Sequence, residues 1–285
     1  MMALLVEPFL YDYMIKALVV AAFVGSVCAL LSVFLMLKGW SLIGDALSHS
    51  VVPGVAVAYI LGWPYAVGAF ITGILATMAI LLLRQLCFLR QDAIIGLVFT
   101  SFFALGLLII SLFPTSISLQ AVIYGNILAI AERDFQQMLG ILLLALLVII
   151  FKWRDLMLLF FDQIQAVASG VSVRWLQVLF FMLVSAAVVA ALQVVGAILV
   201  VALLITPGAT AFLLAKRFGV VLFIALSIGL FSSVLGVYLS YFMDAVTGTV
   251  IVLLQALVFM LAFVFAPEKG LLVRMRKATL AKRLL

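Results

Sequence analysis

The residues best suited to chemistry are Asp45 and His49, the latter being the only histidine of the chain. They stand four residues apart at the entrance to a long apolar run. Four residues of an α-helix turn through about 400°, so the two side chains would lie one turn apart on one face. A carboxylate and an imidazole together suit borderline divalent cations such as Mn²⁺, Fe²⁺ or Zn²⁺. Two ligands do not fill a coordination shell, so a metal site here would need a second copy of the pair from a dimer partner.

The same two residues also have a purely structural interpretation. Asp45 could cap a helix at the membrane interface, and His49 could be a hydrogen-bonded packing residue. The spacing alone favours this interpretation, because Asp/His pairs four residues apart are common. An aspartate within a membrane segment, however, costs about 2.5–3.5 kcal/mol and must face a partner or water.

Composition indicates which elements must position the pair. Of 285 residues, 69% are hydrophobic and only 9% are charged, whereas a soluble protein keeps about a quarter of its residues charged. The apolar runs reach or approach the ~20 residues that cross a bilayer, and they are continuous rather than alternating as in a β-barrel. We therefore predict an all-α polytopic membrane protein, with one transmembrane domain over residues 1–285.

Nine apolar segments can be marked, and they predict eight or nine transmembrane helices. The second is the weakest, because it contains Asp45, His49 and Pro53 and is predicted to be short or broken. The segments are residues 13–37, 44–61, 64–83, 93–113, 135–151, 175–192, 195–214, 218–242 and 245–266.

The basic residues predict the orientation. Six of the sixteen follow the last apolar run, so residues 267–285 are predicted to form a basic cytoplasmic tail that contacts anionic lipid rather than nucleic acid. With nine spans, nearly all other basic residues fall in cytoplasmic loops and the N-terminus is external. Losing one span would reverse part of this pattern, so nine is favoured.

Two connections are long enough to have a role of their own. Residues 114–134, on the external side, are predicted to hold an interfacial or re-entrant helix. Residues 152–174, on the cytoplasmic side, are predicted to hold a short amphipathic helix, which starts at Asp162, a good N-cap residue, and ends at Gly170, a good C-cap.

Two prolines predict helix breaks. Pro53 follows the Asp45/His49 pair, and Pro207 lies inside the seventh apolar segment. Proline removes a backbone hydrogen bond, and broken helices often mark the binding sites of transporters. At Pro207 an ordinary kink is the more common alternative.

Several motifs are absent from the sequence. It contains neither the phosphate-binding pattern GxxxxGK[ST] nor HExxH, and one histidine is too few for a catalytic zinc site with three protein ligands. An intramembrane metalloprotease is thereby disfavoured. A secondary transporter driven by protons or sodium is the main alternative to an ATP-driven one, although the chain lacks the further buried carboxylates expected of a proton-driven pump.

Residues 38–54, Lys-Gly-Trp-Ser-Leu-Ile-Gly-Asp-Ala-Leu-Ser-His-Ser-Val-Val-Pro-Gly, closely resemble the signature of the metal-ion ABC importer permeases, the ABC-3 group. Phe161-Asp162 followed by Ala166 and Gly170 resembles the coupling helix of that family. Residues 195–209 resemble its proline-containing late helix, and residues 247–250 and 265–271 resemble its last span and exit. Within the family the chain is most similar to the second permease subunit of Sit/Yfe-type manganese/iron importers of Gram-negative bacteria.

The resemblance implies a permease fold of the metal-ion/cobalamin type in the bacterial inner membrane, without ATPase activity of its own. Two permease chains, identical or related, would form the pathway. Two cytoplasmic ATP-binding subunits would dock on the coupling helices through Asp162, Ala166 and Gly170, and a periplasmic metal-binding protein would deliver the ion. Asp45 and His49 map onto the aspartate and histidine that line the metal pathway.

The resemblance implies no permanent cofactor, only a transported divalent ion. Lys-Gly-Trp-Ser and Pro53-Gly54 resemble the manganese/iron branch, although the Irving–Williams order would favour zinc at such ligands. A siderophore or vitamin carrier of the same fold would lack the pair. One conflict follows: the predicted topology puts Asp45 and His49 at the cytoplasmic-side start of the second span, unless a break at Pro53-Gly54 sets them deeper.

Overall fold

The computed structural model describes residues 7–86, 88–113, 132–267 and 270–273. The predicted external helix within residues 114–134 and the basic tail of residues 267–285 lie almost wholly outside these ranges. In the described ranges every regular element is helical, as predicted.

Nine helical segments of the described chain are long and apolar enough to cross a membrane. Of the two predicted counts, eight and nine, the structure therefore has nine. A short 3₁₀ helix, Glu7–Leu10, precedes them. We number the helices α1 Asp12–Leu37, α2 Ile43–Ser50, α3 Val52–Leu61, α4 Tyr65–Leu86, α5 Gln91–Leu112, α6 Glu132–Phe161, α7 Gln163–Ala168, α8 Val173–Leu192, α9 Val195–Leu214, α10 Phe218–Met243 and α11 Thr247–Phe265. Helices α2 and α3 together form the second span, and α7 is too short to cross.

The helices group into two compact units. One comprises Met1–Gly39 and Ala202–Leu285, and the other comprises Trp40–Val201. In the first unit, α1 and α10 approach closely through small residues: a Cβ added to Gly25 would lie 2.5 Å from the carbonyl oxygen of Gly229. Small residues at such contacts let helices gain packing energy where lipid supplies no hydrophobic driving force.

We predict that Gly229→Leu destabilises this unit strongly. A side chain at Gly229 would meet the Cβ of Ala29 and the backbone of Gly25, and overpacking of this kind costs about 1–3 kcal/mol or more. The measurement is the thermal unfolding midpoint of the detergent-purified protein, with size-exclusion chromatography used to monitor loss of the folded peak. Gly219→Leu, in the same helix with open space around the added Cβ, is the control and should unfold as the wild type does; equal midpoints for both variants would contradict the prediction.

In the second unit, α2 and α3 are held between α4 and α5. Gly54 of α3 lies against Gly68 of α4, so that a Cβ on either would meet the carbonyl group of the other. A Cβ on Gly106 of α5 would lie 2.9 Å from the backbone nitrogen of Pro53. The span that carries Asp45 and His49 is therefore fixed by backbone-to-backbone packing on two sides.

Helix α6 is longer than predicted, ending at Phe161 rather than at residue 151. Leu156, Leu159 and Phe160 are buried in this extension, so tertiary packing keeps the helix going beyond its apolar run. Lys152 Nζ also lies 2.8 Å from Asp155 Oδ2 one turn along, but an exposed pair of this kind adds little stability. The predicted coupling segment of residues 152–174 therefore begins inside a helix.

The helix break predicted at Pro207 is wrong, because α9 remains helical through that residue. The non-helical residue in this part of the chain is Gly196, with φ 75° and ψ 167°, conformations that glycine reaches at little cost. Proline is tolerated inside membrane helices where neighbouring helices support the backbone. Here Gly208 lies directly against Ser32 of α1.

Candidate functional site

Helix α2 presents Asp45 and His49 on one face. The helix is initiated by a turn in which the N–H of Ile43 donates to the carbonyl of Trp40 at 3.1 Å. Its other polar side chains, Ser48 and Ser50, are buried and donate back to the backbone carbonyls one turn earlier, at 2.8 and 2.6 Å. The serines are thereby satisfied locally, and Asp45 and His49 remain as the groups of this helix with free ligand capacity.

The pair is close and partly open. His49 Nε2 lies 3.5 Å from Asp45 Oδ1, and the two side chains are 31% and 41% exposed respectively. Both side chains are therefore partly accessible at the surface of the chain. Pro53 stands four residues after His49, in the first turn of α3, and has no N–H to donate to the His49 carbonyl. The helix is interrupted between Ser50 and Val52, slightly before Pro53.

Two phenylalanines of α5 hold the imidazole. The ring centroid of His49 lies 5.2 Å from that of Phe99 and 5.4 Å from that of Phe103. Both contacts are tilted or edge-on, with interplanar angles of 51° and 75°, as aromatic pairs prefer. Sequence reasoning missed these residues, because the chain has 23 phenylalanines and nothing local marks two of them as neighbours of His49.

The contact with α5 places His49 along the length of that helix. Helix α5 starts at Gln91 and has 22 residues, a length of about 33 Å. Phe99 and Phe103 follow Gln91 by eight and twelve residues, so they lie about 12–18 Å along the helix. His49 is therefore level with the middle of α5 rather than with either end of it.

The pair by itself supplies only two ligands. Among the described residues, no group of three or more His, Cys, Asp or Glu side chains converges on a point. Any ion bound by Asp45 and His49 must therefore complete its shell with water, backbone carbonyls or groups from another chain. The exposed face of the pair leaves room for them.

Helix α7 is capped at both ends as the sequence predicts. Asp162 Oδ1 accepts hydrogen bonds from the backbone N–H groups of Ile164 and Gln165 at 2.9 and 3.1 Å. After the last helical residue, Ala168, Gly170 adopts φ +78°, and the N–H groups of Gly170 and Val171 donate to the carbonyls of Val167 and Ala166, both at 3.0 Å. This pair of bonds is a Schellman motif, which ends the helix two residues before the predicted Gly170.

Helix α7 has one buried and one exposed apolar face. Ala166 is buried, whereas Ile164 is 84% and Val167 is 63% exposed. Phe161, at the end of α6, is exposed as well. An apolar face of this kind on a helix outside the spans is typical of a surface that a partner covers.

Comparison with known proteins agrees with these observations. Residues 10–266 match the ABC 3 transport family. The chain is 56% identical over 283 residues, or 99% of its length and 96% of the relative's, to the chelated iron transport system membrane protein YfeC of Yersinia pestis. It is 44% identical over 268 residues, or 94% and 88% of the two lengths, to the manganese transport system membrane protein MntB of Synechocystis sp..

The fold is also that of a solved structure. PsaBC from Streptococcus pneumoniae, determined in complex with a Fab, superposes with a TM-score of 0.84 at 36% identity, covering 94% of this chain and 98% of the other. The chain therefore belongs to the ABC 3 transport family, as a membrane-spanning permease component of an ABC transporter.

Proposed function

We propose that the chain forms the ion pathway of an ATP-driven importer for a divalent transition metal, Mn²⁺ or Fe²⁺. The observation that carries the proposal is the position of Asp45 and His49, which are level with the middle of α5 and partly exposed. A carboxylate at that depth cannot face lipid without a cost of about 2.5–3.5 kcal/mol. A water-filled pathway or a second permease chain, identical or related, would remove that cost.

The choice of metal rests on ligand chemistry and on the relatives. One carboxylate and one imidazole per chain bind Mn²⁺, Fe²⁺ and Zn²⁺ alike. The relatives carry iron and manganese in their names, which supports these two ions over zinc. With so few ligands from each chain the ion is held weakly enough to leave again, as transport requires.

The energy is proposed to come from separate ATP-binding subunits. The sequence has no GxxxxGK[ST] loop, and the exposed apolar face of α7 is where we place their docking, with Asp162, Ala166 and Gly170 fixing the shape of the helix. A periplasmic metal-binding protein would deliver the ion at the opposite end. The distribution of basic residues supports a bacterial inner membrane with a cytoplasmic C-terminus.

The decisive experiment compares two kinds of vesicle. The chain is reconstituted with its partner permease, ATP-binding subunit and metal-binding protein, or without the ATP-binding subunit, and uptake of ⁵⁴Mn²⁺ and ⁵⁵Fe²⁺ is measured. We expect uptake only in the complete complex, with ATP on the side of the membrane where the ATP-binding subunits are bound. Uptake that persists without the ATP-binding subunit and is abolished by an uncoupler would instead establish a secondary transporter.

Phe103→Ala is expected to weaken ion binding without removing the protein from the membrane. Loss of the edge contact frees the imidazole of His49 to rotate, and residues that orient a metal ligand typically change affinity by about 10-fold or more. The KM for Mn²⁺ uptake should rise by about that factor. Phe102→Ala, which truncates the adjacent partly buried phenylalanine, serves as the control; a KM raised equally by both substitutions would contradict a specific role for Phe103.

A further inference from the structure

Trp40 is buried although it lies in the short connection between α1 and α2. Only 4% of its surface is exposed. It precedes α2 by three residues and Asp45 by five. A large aromatic residue at the end of a membrane span would ordinarily lie in the lipid–water interface, so its burial indicates a role in packing between helices.

Trp40 contacts four other elements of the unit Trp40–Val201. Its Nε1–H donates to Oε1 of Gln91, at the start of α5, at 2.9 Å. The guanidinium carbon of Arg84, near the end of α4, lies 4.7 Å from the ring centroid. The ring stacks on Phe181 of α8 at 5.3 Å and 20° and meets Phe160 of α6 edge-on at 5.7 Å and 84°.

Phe160 connects this cluster with the proposed docking helix. It is buried and lies two residues before Asp162, the N-cap of α7. Its ring also packs edge-on against Phe180 at 4.7 Å. A displacement of α7 must therefore move Phe160 or strain its contacts with Trp40 and Phe180.

Trp40 connects the same cluster with the metal-binding pair. The backbone carbonyl of Trp40 accepts the N–H of Ile43 in the turn that starts α2. Since α2 is helical from Ile43 to Ser50, a shift of that turn is carried to Asp45 and His49 as a movement of one rigid element. The direct step from the end of α6 to the turn that starts α2 is the ring contact of Phe160 with Trp40, and Phe180 and Phe181 pack beside it.

We propose that Trp40 is the positioning residue that transmits movement of α7, driven by the ATP-binding subunits, to Asp45 and His49. This inference rests on the proposed function and adds to it the residue through which hydrolysis and ion release are linked. Trp40 touches neither the ion nor the ATP-binding subunit in this scheme. Its loss should therefore separate hydrolysis from transport rather than stop either by itself.

The test measures both activities in one preparation. The complete complex is reconstituted with wild-type chain, Trp40→Leu, Trp40→Phe or the control Trp153→Leu, whose ring lies 5.4 Å from the guanidinium carbon of its own neighbour, Arg154. ATP hydrolysis and ⁵⁴Mn²⁺ uptake are followed together, and their ratio gives ions moved per ATP. We expect a ratio at least 10-fold lower in Trp40→Leu, with hydrolysis within twofold of wild type, and a normal ratio in Trp153→Leu.

Each outcome decides the proposal. Hydrolysis and uptake that are both normal, or that fall in parallel, would overturn it, because Trp40 would then be dispensable or needed only for structure. If Trp40→Leu does not assemble, Trp40→Phe decides. Its ring is smaller than indole, so it loosens the contact with Phe160 and loses the bond to Gln91; a ratio lowered about 2- to 3-fold supports the proposal, whereas an unchanged ratio overturns it. Failure of the wild-type complex itself to show ATP-dependent uptake would reject the proposed function instead.

Discussion

Substitution of Asp45 by Asn, or of His49 by Ala, is expected to reduce ATP-driven ⁵⁴Mn²⁺ uptake by at least 100-fold. Each change removes one of the two ligands that the chain supplies, and in a dimer of identical chains it removes two of four. Asn keeps the size and polarity of Asp but loses the charge that attracts a divalent cation. Uptake is measured in the reconstituted complex, with the amount of protein in the membrane determined for each variant.

Neither substitution should impair folding. The two side chains are partly exposed, and an ion pair between exposed side chains adds little stability. The matched control is Asp155→Asn, which removes another partly exposed carboxylate, one paired with Lys152; it should transport normally. Normal uptake by both the Asp45 and the His49 variants would reject the assignment of the pair to the pathway.

The second large effect is expected from Ile164→Glu. This side chain is 84% exposed on the apolar face of α7, and a partner that covers the face would bury a carboxylate without a counter-charge, at a cost of several kcal/mol. We expect the ATP-binding subunit to be lost during co-purification and ATP-driven uptake to disappear. The permease itself should remain folded, because in the isolated chain the new charge stays in water.

Gln165→Glu is the control for charge alone. It introduces the same carboxylate one residue further along the same helix, where the present side chain is already polar and exposed. Its backbone N–H still donates to Asp162. Retention of the ATP-binding subunit by Ile164→Glu, or its equal loss from Gln165→Glu, would show that the apolar face is not the docking surface.

Features that depend on neighbouring residues in the chain were predictable. The spans follow from apolar runs, since each helix satisfies its own backbone hydrogen bonds wherever lipid surrounds it. The placement of Asp45 and His49 on one face follows from a four-residue spacing in a helix. The caps of α7 were predictable because each acts within one turn of the helix end. The side-chain oxygen of Asp162 caps the start, and the left-handed backbone of Gly170 caps the end.

Helix limits set by distant contacts were not predictable. The apolar run of α6 ends near residue 151, yet the helix continues to Phe161 because Leu156, Leu159 and Phe160 are buried by other elements. Pro207 is the opposite case, where a local signal for a break is overridden. In both, the observed helix differs from what the neighbouring residues in the chain indicate.

By itself, therefore, the sequence determined the class of the protein, the spans and the two residues with chemistry to offer. The tertiary structure decided what surrounds those residues, since the packing of α2 against α5 puts His49 beside Phe99 and Phe103, midway along α5. It also brought Trp40 to Phe160, 120 positions away in the numbering. Contacts of this kind depend on the relative position of whole helices, which spacing along one helix does not specify.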